Sequence, residues 1–241
     1  MRRALLLVLS ALSALSLSAQ ALELKPFTAS YTADWKQLPI SGTAERSLER
    51  LPDNRWQLNF EAAMLVASLT EVSTFRLENN LFVPLTYRLK RGGMGKGKKV
   101  EQDFDWIEKQ VLGSDRGDSV RLPLNKGMQD KSTYQLELQY DVAAGKKSMS
   151  YQVVDGDEVE TYDFRVLGPE RVRTKAGLID AIKVERVRDP TKSSRKTVLW
   201  FAKDWDYLLV RLHQVETDGK EYQIMLKDGN VDGKTVKGQA E

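Results

Sequence analysis

The feature that most constrains this chain is an alternation of apolar and polar residues along most of its length. Trp56, Leu58 and Phe60, for example, are separated by Gln57 and Asn59. Successive side chains of a β-strand point to opposite faces of a sheet, so this pattern predicts strands that are buried on one side. Turn-forming sequences interrupt it at intervals of about 10 residues, as in antiparallel hairpins. The sequence therefore predicts a mainly β fold, a curved antiparallel sheet or half-barrel.

The predicted strands form two runs, at about 28–122 and about 149–229. One strand has an inward apolar series consisting of Leu81, Val83, Leu85, Tyr87 and Leu89. Phe82 is the exception and is expected on the opposite face. In residues 198–202 both faces are apolar, which predicts a strand that is covered on two sides.

Between the two runs, residues 131–144 fit two structures. The alternation of Leu136, Leu138 and Tyr140 is that of a strand. The sequence from Ser132 to Gln135 instead fits a helix capping box, and a helix end is expected near Gly145. We favour one helix near 131–144 that packs against the sheet.

The N-terminus has the pattern of a signal peptide. Arg2 and Arg3 precede an apolar run at 4–17, and Ala19 and Ala21 form a small-residue cleavage site. The run is shorter than the ~20 residues that span a bilayer. The pattern predicts cleavage after Ala21 and export to the periplasm, without a lipid anchor because no cysteine follows. We expect a single β-rich domain at 22–230, a flexible tail at 231–241 and no transmembrane segment after cleavage.

The composition excludes several chemistries. The chain has 0 Cys and 1 His, which excludes thiolate catalysis, Cys/His zinc sites and iron–sulfur clusters. His213 lies in a strand-like segment with no nucleophile-elbow motif to serve. Without Arg2 and Arg3 the 37 basic residues become 35 against 34 acidic ones, so a nucleic-acid partner is not expected. We predict a protein that is not an enzyme, with no cofactor and no metal.

A glycine- and lysine-rich segment at 92–99 has the spacing of a phosphate-binding loop. Lys99 stands where that motif needs Ser or Thr, and strands are predicted on both sides. We therefore interpret the segment as a hairpin loop near one sheet edge. Its cations could contact anionic lipid head groups or phosphates, or could form a solvated loop that protects the edge. They are Arg88, Lys90, Arg91, Lys96, Lys98 and Lys99.

Paired carboxylates are the remaining candidates for chemistry. The pairs are Asp103 with Asp105, Asp155 with Asp157, and Asp204 with Asp206. Exposed strand positions and hairpin turns account for the first two pairs, and no calcium-loop spacing is present. We do not expect catalysis or metal binding from any of these pairs.

The aromatic residues suit binding better than chemistry. We expect some of them to line the concave face of the sheet and to contact an apolar ligand. The candidate lining residues are Trp56, Phe60, Tyr87, Phe104, Trp106, Trp200 and Phe201.

The C-terminal half carries a recognisable series of segments. They are Tyr162–Gly168, Val172–Gly177, Ala181–Arg186, Leu199–Asp204 and Tyr207–Leu212. The series resembles the secreted bacterial family catalogued as domain of unknown function 3108, over nearly the whole mature chain. The resemblance implies an envelope protein with no assigned activity and no catalytic residues to carry over.

A weaker likeness is to periplasmic lipoprotein carriers, although Leu209 stands where a proline is usual in both groups. It implies an unclosed barrel whose concave face holds acyl chains under a helical lid. The combined expectation is a periplasmic, non-enzymatic binding or chaperone-like protein that holds a lipid or acyl ligand. The alternative is a structural module that docks an envelope protein partner through a sheet edge or the basic loop at 88–99. An apolar cavity would favour the first, and a filled interior the second.

Overall fold

The computed structural model describes residues 23–35, 40–65, 67–93 and 97–240. The predicted signal peptide at 1–21, Lys96 of the basic loop and the final residue lie outside the described residues.

Within the described ranges, strands before and after a single helix make up most of the chain, so the prediction of a mainly β fold is confirmed. The strands before the helix are β1 (Phe27–Trp35), β2 (Ile40–Arg50), β3 (Arg55–Met64), β4 (Ala67–Glu78), β5 (Leu81–Gly93), β6 (Lys98–Asp105), β7 (Gln110–Asp115) and β8 (Asp118–Pro123). The helix is α1 (Thr133–Ala143). The strands after it are β9 (Ser148–Asp155), β10 (Glu158–Thr174), β11 (Gly177–Val187), β12 (Lys196–Ala202), β13 (Leu208–Val215), β14 (Glu221–Val231) and β15 (Lys234–Thr235).

The strands form one long antiparallel sheet. Neighbours follow the order β8-β7-β6-β5-β4-β3-β2-β1-β14-β13-β12-β11-β10-β9. The two runs join where β1 pairs with β14, with Phe27 opposite Val231. Because β8 and β9 stand at the two ends of this order, the sheet is not closed into a barrel. The prediction of a curved antiparallel sheet is confirmed.

Bulges interrupt the register of several strand pairs. One lies near Tyr31 on the β1–β14 pair, and another lies near Gly168 on the β10–β11 pair. Gly168 has a φ of 129°, a conformation that favours glycine. A bulge bends its strand and increases the local twist, which contributes to the curvature of the sheet.

A bulge in β5 changes which residues point inward. Thr74 pairs with Thr86, but the next residue of β4, Phe75, pairs with Pro84, so Leu85 is the extra residue. Phe82 and Tyr87 are consequently both buried, although they differ by an odd number of positions. The expectation that Phe82 points away from the face of Tyr87 was wrong, because an inserted residue reverses the alternation.

The predicted helix is confirmed, but its start is capped differently from the prediction. Ser132 stands at the N-cap position and its side chain makes no capping hydrogen bond. Instead, Oδ1 of Asp130 accepts hydrogen bonds from the backbone N–H groups of Ser132 (2.7 Å) and Thr133 (2.8 Å). At the other end Gly145 has a φ of 82°, as expected for a glycine that ends a helix.

The helix packs against both halves of the sheet. Leu136 belongs to a core cluster that contains Tyr31 and Leu58 from the N-terminal strands. Leu138 and Val142 belong to a second cluster formed with β9–β13. The helix therefore lies across the inner face of the curved sheet and fills part of its interior.

The C-terminal segment differs from the expectation of a loose tail. Thr235 pairs with Asn230, and the Val236 N–H donates to the carbonyl oxygen of Gly229 at 2.8 Å. Gln239 forms a β-bridge with Leu178. Val236 is also buried, so this segment covers the sheet instead of extending into solvent.

Candidate functional site

A cavity of about 380 Å³ opens on the inner face of the sheet. Its walls come from β1–β5 on one side and from β13 and β14 on the other, with the start of α1 beside them. The cavity results from an incompletely filled interior, because the single helix covers only part of the concave face.

The walls are mostly apolar, and β3 contributes most of one side. Its inward residues Leu58, Phe60, Ala62 and Met64 follow one another at every second position. At ~3.3 Å per residue these side chains extend over roughly 20 Å. The other apolar wall residues are Ala33, Ala67, Leu69, Leu209, Leu212 and Ile224. Such a surface matches hydrocarbon in shape and polarity.

A cation lies buried within this apolar wall. Arg46 of β2 is 4% exposed and stands between Ala44 and Leu48 in the inward register of the strand. Its guanidinium lies 5.5 Å from the ring centre of Phe27. Its Nη2 atom is buried and has no hydrogen-bond partner among the described residues. Burial lowers the pKa of Arg46 from its ordinary value, but an arginine in a protein remains a cation.

The carboxylate of Glu71 lines the same cavity and is held by other groups. The Tyr87 hydroxyl donates to its Oε1 at 3.1 Å, and the Ser132 hydroxyl lies 3.5 Å from its Oε2. Burial raises the pKa of Glu71, which favours the neutral acid, while nearby Lys131 opposes that shift. Glu71 is therefore a weak counter-ion for Arg46.

A buried polar network positions the helical side of the cavity. Asp130 is fully buried, and its carboxylate accepts the Ser73 hydroxyl in addition to the two helix N–H groups. Lys131 donates to both oxygens of Asp155 at 2.7 Å, and the Tyr162 hydroxyl also donates to that carboxylate. Burial raises the pKa of Asp130. This network fixes the start of α1, which places Ser132 and Gln135 on the cavity wall.

Of the predicted lining residues, Phe60 lies on the cavity wall and the other six do not. Trp56 is partly buried against the first core cluster. Trp200 and Phe201 are both buried but belong to different clusters, which confirms a strand covered on two sides. A third cluster contains Tyr87 and Phe104, with Trp106 packed against it. These six aromatic side chains fill cores instead of facing the cavity.

The basic residues do not form one patch at a sheet edge. β5 and β6 are separated from the end strand β8 by β7, which corrects the expected edge position. Arg88 pairs with Asp103, Lys98 with Asp115 (3.3 Å), and Lys99 with Glu101 (2.9 Å). Lys90 and Arg91 are exposed, and Arg91 lies at the cavity wall.

The paired carboxylates form turn hydrogen bonds or ion pairs that hold the fold together. Asp105 accepts the N–H groups of the following turn at Ile107 and Glu108. Asp206 pairs with Lys25 at 2.9 Å. His213 lies in β13 with its Nε2 atom 2.9 Å from Glu221. In the described part of the chain, no three potential metal-ligating side chains converge.

Sequence reasoning missed Arg46, Glu71 and Asp130. A signal was present for Arg46, since it occupies an inward position between two apolar residues in an alternating strand. No comparable local signal marks Glu71, and Asp130 combines two nearby N–H donors with a distant partner, Ser73.

The model of the family described as "Protein of unknown function (DUF3108)" matches residues 30–227. The chain belongs to the DUF3108 family. The match runs from β1 to β14, so it includes both walls of the cavity. No curated protein matches the chain.

Two solved structures align with this DUF3108 protein over most of its length, and one of them resembles it in fold. One is a β-barrel-like protein of domain of unknown function DUF1849 from Brucella abortus, with a TM-score of 0.58 and 10% identity. The alignment covers 87% of this chain and 99% of that one. Another is a lipoprotein-like protein from Parabacteroides distasonis, with a TM-score of 0.32, 10% identity and coverage of 87% and 97%. The first similarity extends to the fold alone, and the second is too weak to relate the two folds.

Among the described residues, the structure contains no helix with the length and apolar character needed to cross a bilayer.

Proposed function

We propose that this DUF3108 protein binds an apolar ligand, a lipid or an acyl chain, against the concave face of its sheet. It acts by contact in the periplasm and makes or breaks no covalent bond. The cavity of about 380 Å³, walled by Leu58, Phe60 and their neighbours, carries this proposal. The signal-like pattern at the N-terminus supports the location.

The apolar cavity lowers the stability of the fold when nothing fills it. Apolar surface that stays uncovered forgoes roughly 25 cal/mol of stability for each Å² that could have been buried. A protein that needed only a rigid surface would gain stability from larger wall residues. Ala33, Ala62 and Ala67 are small at this wall, and they keep the space open.

The first experiment measures ligand uptake. The protein is purified from the periplasm under native conditions, and lipids extracted from it are identified by mass spectrometry. A fluorescent fatty acid is then titrated into delipidated protein. We expect copurified lipid and saturable uptake of the probe. Absence of both would overturn the proposal.

A matched pair of variants places the binding in the cavity. Ala62→Trp fills the space from an inward position of β3, whereas Ala63→Trp adds the same group to the exposed outer face of that strand. We expect the first variant to lower probe affinity at least about tenfold and the second to leave it unchanged. Equal effects would show that the probe binds elsewhere.

The alternative function, docking of an envelope partner, is favoured by one observation. Leu65 is 85% exposed in the turn between β3 and β4, and the exposed Arg91 of the neighbouring strand β5 lies opposite Leu69. A docking function would use this exposed leucine and Arg91 as contacts with the partner. If docking is the function, the Ala62→Trp variant should keep the cellular role of the protein. A double variant with Leu65→Ser and Arg91→Glu should then lose that role. If ligand binding is the function, the Ala62→Trp variant should instead lose the cellular role, because its cavity is filled.

A further inference from the structure

The unpaired nitrogen of Arg46 is the feature that the apolar-ligand proposal does not explain. An apolar ligand needs no cation, and a guanidinium removed from water without a partner lowers the stability of the fold. A core residue of similar size, such as methionine, would avoid that penalty. Arg46 nevertheless lies in the inward register with Nη2 buried and unpartnered among the described residues.

The neighbouring groups do not remove this unpaired charge. The oxygens of Glu71 are engaged by Tyr87 and Ser132. The Tyr31 hydroxyl donates a hydrogen bond to the carbonyl oxygen of Leu209 at 2.9 Å, so this hydrogen bond does not involve Arg46. The ring of Phe27 offers a cation–π contact, which does not supply a hydrogen-bond acceptor for the buried Nη2 atom. Arg46 is also one of the residues that line the cavity, next to its apolar walls.

We propose that Arg46 receives the anionic head group of an amphiphilic ligand, a carboxylate or a phosphate, whose chain lies in the apolar cavity. This inference rests on the proposed function and specifies its ligand class. Carboxylate and phosphate oxygens match the planar donor fork of arginine, and a charge-assisted hydrogen bond is about twice as strong as a neutral one.

The register of the strands sets the orientation of the ligand. Arg46 is the direct partner of Phe60, while Ala62 and Met64 follow along β3 toward its end. A head group at Arg46 therefore lies inside the cavity, and the chain extends about 13 Å along the wall to Met64, at ~3.3 Å per residue. The reverse orientation would place the head group at the exposed Arg91, which lines the cavity and lies opposite Leu69 of β4.

The test compares probes that share a chain and differ in the head group. Dodecanoate, dodecyl phosphate and dodecanol are titrated by calorimetry into the delipidated full-length mature protein. We expect the two anions to bind at least about tenfold more tightly than the alcohol. The two anionic arms distinguish a carboxylate ligand from a phosphate ligand.

Variants of the protein assign this preference to one residue. Arg46→Met removes the charge at similar length and is expected to abolish the preference for anions while dodecanol still binds. Arg46→Lys keeps a point charge without the fork and should retain part of the preference. Arg50→Met, on the same strand but paired with Asn54 at the surface, is the matched control and should behave as wild type.

The outcomes separate this inference from the proposed function. If wild-type protein binds none of the three probes, the proposed function fails. If dodecanol binds as tightly as the anions, the assignment of a head group to Arg46 is overturned. The same holds if Arg91→Met, and not Arg46→Met, removes the preference for anions. In both cases the proposal of apolar-ligand binding remains. Far-UV circular dichroism checks that the variants fold. If Arg46→Met does not fold, Arg46→Lys and the wild-type comparison decide the result.

Discussion

The hydroxyl of Ser73 on β4 donates a hydrogen bond to the buried carboxylate of Asp130, in the segment that leads into α1. The Oδ1 atom of the same carboxylate accepts the first N–H groups of the helix. One side chain therefore begins the helix and also ties it to the sheet. Since the first turn of α1 contributes Ser132 and Gln135 to the cavity wall, this contact positions part of the candidate site.

Replacing Asp130 should destabilise the protein much more than replacing the residue at the N-cap position. Asp130→Ala leaves buried N–H groups and the Ser73 hydroxyl without their acceptor, and we expect the free energy of unfolding to fall by about 2–4 kcal/mol. Ser132→Ala should cost less than about 1 kcal/mol, because its hydroxyl does not cap the helix. Urea denaturation measures both values. Equal losses would mean that Ser132 is the effective cap.

Glu137 on α1 should make stability depend on pH. Burial and the nearby Asp141 raise its pKa from 4.5 to about 7, and its Oε2 atom is buried without a partner among the described residues. The folded state therefore holds this proton more tightly than the unfolded state. The resulting stability is present below pH 4.5 and is lost as pH rises toward 7.

Glu137→Gln tests that dependence. We expect the variant to be more stable than wild type at pH 8, by about 1 kcal/mol after allowance for partial solvation, and equally stable at pH 4. Thermal melts at both pH values provide the measurement. The same difference at both pH values would point to a change of packing instead of a titration.

The C-terminal segment should contribute to the stability of the fold. Val236 is buried beside Gly229, so Val236→Asp places a carboxylate in an apolar contact and should lower the free energy of unfolding by more than about 2 kcal/mol. Lys234→Ala, at an exposed position of β15, should change it by less than about 0.5 kcal/mol. Chemical denaturation distinguishes the two. A negligible effect of Val236→Asp would restore the expectation of a loose tail.

Gly113 should not tolerate a side chain. A Cβ atom built there would lie 1.8 Å from the backbone oxygen of Glu101, so β6 and β7 could not approach each other as closely as they do. We expect Gly113→Ala to lower the free energy of unfolding by more than about 2 kcal/mol. Ser119→Ala, at an exposed position of β8, is the control and should have little effect. Thermal denaturation of the two variants checks this, and a wild-type melting temperature for Gly113→Ala would refute it.

The sequence pattern predicted well wherever the relevant interactions are local. The position of α1 and the left-handed glycine at Gly145 depend on residues within a few positions of one another. The capping residue was misread because Ser132 fits a local motif while Asp130 gains a distant partner in Ser73. The direction of Phe82 was also misread, because a bulge at Leu85 leaves no signature that composition alone reveals.

The sequence by itself determined the alternating antiparallel strands, the single helix between two runs of strands and the chemistries that its composition excludes. Only the tertiary structure decided that β1 pairs with β14, that Phe60 and not the other candidate aromatics lines a cavity, and that Arg46 lines that cavity with a buried Nη2 atom that has no partner among the described residues. The physical reason is the range of the interactions. Alternation and turns arise between neighbours in the chain, whereas the cavity depends on residues such as Arg46 and Leu209, which meet only when the whole sheet curves.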